Sequence, residues 1–116
     1  MLTPFKHVLV PTDFGESADR ALALAIDMAS QERYPKTESA HVCGELWRAI
    51  LEIATERDVD LIVMGTHGRR GLSRLFLGSI AEKVVRLSPV PVLTVSTEAE
   101  KKARALALAH ADATER

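Results

Sequence analysis

One cysteine, Cys43, is all the thiol chemistry in this chain, so no internal disulfide can staple it, and a reducing compartment suits it. No apolar run is long enough to span a bilayer and the N-terminus has no signal-peptide pattern, so the cytoplasm is the expected location and no membrane partner is expected. Charge of one sign is not in excess either. The formal net charge is −1 and the pI about 6.4, without the broad basic face that nucleic-acid binding needs. His7, His41, His67 and His110 are scattered, and no Cys/His spacing supports zinc. Glycine is scarce, six in all, and acids are absent from Leu61 to Ala81.

Those last two scarcities single out one stretch. Gly65, Gly68, Gly71 and Gly78 are four of the six glycines, and Arg69, Arg70 and Arg74 put three permanent positive charges among them. The apolar run Leu61–Met64 precedes this segment, and a helical pattern from Ile80 to Leu87 follows it. Strand, glycine-rich loop and helix in that order allow backbone amides and a helix N-terminus to hold an anion, with phosphate the obvious candidate.

With 47% hydrophobic and 27% charged residues, the 116-residue chain is too apolar to be disordered and is of a size for one domain. Phe5–Val10 reads as a buried strand ended by Pro11, and 12–16 as a turn. Ser17 is the expected N-cap of a helix whose apolar face carries Ala18, Ala21, Leu22, Ala25 and Ala29, broadened by Leu24, Ile26 and Met28. Residues 31–39 are polar and contain Pro35, which ends that helix. Ala40–Cys43 reads either as a very short strand or as the first turn of the next helix, whose face is Leu46, Ala49, Ile50, Ile53 and Ala54 and which finishes near Asp58.

Asp60–Met64 is the second clear strand, and Val90–Val95 the third, with Pro91 suited to an edge or first-residue position. Domain boundaries follow: residues 1–97 form the α/β unit, and 98–116, rich in Ala, Lys, Arg and Glu, a helical tail. That tail reads equally as a solvated helix or a docking segment. Strands alternating with helices indicate a parallel sheet, in which ligands bind beyond the C-terminal strand ends. If the first two clear strands are neighbours, Asp13 and the glycine loop line one crevice.

Four segments in order, Val8–Asp13, Asp60–Gly68, the glycine spacing itself and Pro89–Leu93, resemble the universal stress protein family. Gly65, Gly68, Gly78 and Ser79 satisfy the pattern Gly-x2-Gly-x9-Gly-[Ser/Thr] of its nucleotide-binding members. The resemblance implies a doubly wound parallel sheet with helices on both faces, nucleotide-binding and Rossmann-like. It also implies ATP, with or without Mg2+, held between the first and fourth of the family's five strands. Carried over, Pro11, Thr12 and Asp13 meet the adenosine, and Met64 and Gly65 flank ring and ribose. Gly68, Gly78, Ser79 and Ile80 approach the phosphates, joined by one arginine at most, with Arg69 the candidate. Dimers in the family commonly pair the last strand, here Val90–Val95.

The chain departs from the family pattern around residues 30–44, where about fifteen residues replace the second strand, a helix and the third strand. The expected sheet therefore lacks one or two of the five strands. No residue carries over for the apolar wall of the adenine, and the flank of the first strand is left as an edge that calls for a partner chain or strand exchange. The expected function is that of an adenine-nucleotide (ATP or AMP)-binding regulatory or stress-response protein acting as a homodimer. The alternative is a family member that has lost nucleotide and works through protein contacts. An enzyme ranks last: the sequence has no P-loop Gly-x4-Gly-Lys-[Ser/Thr] and no Ser-Gly-Gly-x-Asp-Ser loop. Hydrolysis, if any, is expected to be slow.

Overall fold

The computed structural model describes residues 5–13, 15–29, 44–66 and 77–114. In chain order these form β1 (Val8–Leu9), α1 (Glu16–Ala29), α2 (Leu46–Glu56), β2 (Leu61–Gly65), α3 (Ser79–Leu87), β3 (Val92–Val95) and α4 (Glu98–Thr114). The three strands are parallel in the order β1-β2-β3, with Val8 opposite Leu61 and Ile62 opposite Val92. The segment 40–43, read as strand or helix turn, lies outside the described residues.

Alternation along β2 sorts the core into two layers. Leu61 and Val63 face α1, meeting Ala21 and Ala25. Ile62 and Met64 face the other way, where α2 supplies Ile50 and Ala54 and α3 supplies Ala81 and Val84. Helices thus cover both faces, as a doubly wound sheet requires.

Three local expectations need correction. The first strand is two residues long rather than six. Upstream of it, the amides of Lys6 and His7 donate to the Asp60 carboxylate at 2.8 and 3.1 Å, while Asp60 N–H donates to the His7 carbonyl at 2.9 Å. A side chain takes the place of a ladder partner there. Second, α1 begins at Glu16, and Ser17 is inside the helix rather than its cap. Gly15 occupies the position before the helix, its carbonyl accepting from Asp19 N–H at 2.9 Å. Third, Leu22, Leu24 and Ile26 do not widen the buried face of α1 but remain exposed. The buried face is Ser17, Ala18, Ala21 and Ala25, with Met28 packed beside it, and these small side chains let the helix axis approach the sheet closely.

The third strand is also shorter than expected, Val92–Val95 rather than Val90–Val95, while the remaining boundaries agree with the sequence pattern to within about two residues. Helix α2 ends where Asp58 adopts a left-handed φ of 49°, with Val59 N–H donating back to the Ala54 carbonyl at 2.9 Å. Beyond α3, the Ser88 hydroxyl donates to the Val90 carbonyl at 2.7 Å and accepts from Val90 N–H at 3.1 Å, fixing the bend into β3. Pro91 stands just before β3, and its carbonyl accepts from Ile62 N–H at 3.0 Å. Trp47 of α2 is half-buried against the second core layer, with Arg48 and Lys83 at 5.3 and 5.4 Å from its ring centroid. Core or interface packing, not base stacking, is what this environment supports.

Candidate functional site

The C-terminal ends of the parallel strands meet the N-termini of α1 and α3, and Thr66 ties this edge together. Its N–H donates to the Val95 carbonyl at 3.1 Å, and its own carbonyl accepts from Gly78 N–H at 2.8 Å. The hydroxyl reaches the same Val95 carbonyl at a long 3.5 Å, and the residue is buried. The glycine loop therefore leaves β2 and returns to α3 at adjacent points, whatever path it takes between them. Sequence reasoning passed over Thr66, although it lies between two glycines of the motif.

The return point is Gly78, the residue preceding α3, with extended angles of φ −64° and ψ 161° and no side chain capping the helix. The first intrahelical bond runs from Glu82 N–H to the Gly78 carbonyl at 2.9 Å. The amides of Ser79, Ile80 and Ala81 precede it and point out of the helix start, where the dipole is positive. Glu82 is the acid in this first turn, and its carboxylate is engaged one turn on by Arg86 Nε at 2.8 Å. The Ser79 side chain is exposed, whereas that of Ile80 packs on the core.

Other sequence-predicted residues divide by role. β1 and β2 are hydrogen-bonded neighbours, which brings Pro11, Thr12 and Asp13 to the same edge as Gly65. Thr12 and Asp13 are exposed and Pro11 is half-buried. The Asp13 carboxylate accepts from Gly15 N–H at 2.8 Å, a turn that launches α1. The Met64 side chain is buried between the sheet and α2/α3, so its backbone is what it can present at the edge. Gly65 is a packing residue. A Cβ there would lie 2.9 Å from the Ser17 carbonyl carbon, 3.1 Å from Ala18 N, and closer still to Ser17 Cβ. Gly68 and Arg69, with His67, Arg70 and Arg74, lie outside the described residues. Among the described residues no cluster of His, Cys, Asp or Glu could hold a metal ion, and no helix is long and apolar enough to cross a membrane.

Comparison with known proteins agrees with this architecture. A model of the universal stress protein family matches residues 27–96. A universal stress protein from Thermus aquaticus is 39% identical over 80 residues, covering 69% of this chain and 56% of the relative. Universal stress protein MJ0531 of Methanocaldococcus jannaschii is 52% identical over 46 residues, 40% of this chain and 27% of its own length. From the same organism, universal stress protein MJ0577 is 40% identical over 60 residues, 52% of this chain and 37% of its length. The chain thus matches between 27% and 56% of the length of these curated relatives. A solved structure of MJ0577 superposes with a TM-score of 0.71 at 26% identity, over 81% of this chain and 97% of that one.

Proposed function

The chain belongs to the universal stress protein family, and on that footing we propose that it binds an adenine nucleotide, ATP with or without Mg2+, as a regulatory or stress-response protein rather than an enzyme. The observation that carries the reading is the bond from Gly78 N–H to the Thr66 carbonyl. It holds an uncapped helix start at the edge where β1 and β2 end, where the amides of Ser79 to Ala81 can meet phosphate oxygens. Thr12 and Asp13 stand across the same edge for the nucleoside, and Ser79 offers a hydroxyl. A regulatory role is favoured over turnover because the sequence has neither a P-loop Gly-x4-Gly-Lys-[Ser/Thr] nor a Ser-Gly-Gly-x-Asp-Ser loop.

The decisive measurement is nucleotide content. Denaturing the purified protein and analysing the supernatant by mass spectrometry is expected to release adenine nucleotide, and titration with ATP-Mg2+ to give heat. Neither signal appearing would sink the proposal. Gly78→Val provides the control. The extended φ and ψ of Gly78 suit valine, so the fold is expected to hold while the side chain blocks phosphate approach. Losing a charge-assisted contact there weakens ATP by roughly ten- to hundredfold.

A homodimer through the last strand is part of the same proposal. β3 is hydrogen-bonded to β2 on one side, and Leu93 is exposed on it. Light scattering at micromolar concentration is expected to give twice the 12.7 kDa of the chain; a well-folded monomer counts against the dimer and leaves the nucleotide site standing.

A further inference from the structure

Helix α4 begins just past the end of the family match at residue 96 and follows directly from the end of β3. Lys101 N–H donates to the Thr97 carbonyl at 3.0 Å, and one turn further on the Arg104 guanidinium reaches the Ser96 hydroxyl. Ser96 follows the last residue of β3, and Val95 is opposite Gly65, so Ser96 lies beside Thr66 at the edge to which Gly78 is bonded.

Face as well as height agrees. Ile62, Met64 and Val92 pack on the α3 side of the sheet, whereas Val63 and Val95 pack on the α1 side. Continued alternation puts Thr66 and Ser96 on the α3 side, the side of the uncapped helix start. Arg104 is half-buried, and both of its terminal nitrogens share the single Ser96 oxygen at a long 3.4 Å. A guanidinium has five N–H donors in a planar fork suited to two oxygens of one phosphate. Ser96 satisfies few of them, and among the described residues no carboxylate pairs with Arg104.

We propose that α4 delivers Arg104 as a phosphate-binding residue of the nucleotide site, a clamp from outside the family's own domain that favours nucleotides with a polyphosphate chain. This rests on the nucleotide-binding reading above. Phosphate oxygens would replace the Ser96 hydroxyl as partners of the guanidinium, drawing the first turns of α4 against the strand ends.

The test is calorimetric titration of the full chain and of Arg104→Gln with ATP, AMP and adenosine. For ATP the substitution is expected to weaken binding roughly ten- to hundredfold. Adenosine affinity is expected to stay unchanged, and Arg104→Lys to recover part of the loss because the charge remains while the fork does not. If the unaltered chain binds ATP and Arg104→Gln binds it equally well, the clamp is overturned and the nucleotide site stands. An equal loss for ATP and adenosine likewise overturns it, because that pattern reports a structural change. If the unaltered chain binds no adenine nucleotide, both readings fall.

Discussion

Gly65→Ala is expected to destabilise the protein by about 1–3 kcal/mol in urea unfolding with no ligand present, as over-packing of a tight contact does. The methyl group has nowhere to go. It would meet Ser17 Cβ and lie 2.9 Å from the backbone carbonyl carbon of the same residue. Neither neighbour is the free end of a flexible side chain, so α1 must lift from β2. The buried residues beside this contact, Ala18 and Ala21, would lose packing with it. Ser17→Gly in the Gly65→Ala background removes one of the colliding atoms. The double variant is expected to be less destabilised than the two single changes added together, even though glycine in a helix itself costs roughly 0.5–1 kcal/mol. Additive effects would mean that the two residues do not touch in the way described. The motif glycine thereby acquires a role that involves no nucleotide: it lets the start of α1 sit on the end of β2, which brings Asp13 to the site.

Ile62→Ala is expected to cost about 2–5 kcal/mol, the range for truncating a buried branched side chain and leaving a cavity. Ile62 is fully buried in the central strand, between β1 and β3 and beneath α2 and α3. Domain stabilities are about 5–15 kcal/mol, so this one change removes a large share of the total. The midpoint in urea should fall with little change in slope. Leu106→Ala serves as the comparison, because Leu106 is 71% exposed on α4 and its truncation is expected to shift stability by less than about 0.5 kcal/mol. Comparable losses from the two variants would contradict the assignment of the core to β2.

Much of the fold was legible before any coordinates. The face Leu46, Ala49, Ile50, Ile53 and Ala54 indicated α2, and Ile50 and Ala54 are buried. The unbroken apolar run Leu61–Met64 indicated a strand, and all four residues are buried. Where the reading missed, a contact distant in sequence had won over a local preference. Lys6 and His7 look like strand, but the Asp60 carboxylate takes their amides. Ser17 looks like a cap, but it is buried against Gly65. Leu22 and Ile26 look like core, but the alanines beside them hold the sheet.

By itself, the sequence determined the alternation of strands and helices, the crossing from β2 through the glycine loop into α3, and the family. The first two rest on periodicity and turn chemistry, which act over a few neighbouring residues and can be read from them, and the family rests on the resemblance of four ordered segments. Tertiary structure alone decided that Gly65 is a packing glycine, that Thr66 joins the ends of β2, β3 and α3, and that Arg104 returns to the strand edge. The first two depend on residues far apart in the chain, Gly65 with Ser17 and Thr66 with Val95, that helix packing and the register of the parallel sheet bring together, whereas Arg104 meets Ser96 across the turns that start α4. For the two distant pairs, no local pattern in either segment encodes the other, so the pairing exists only once the core has closed.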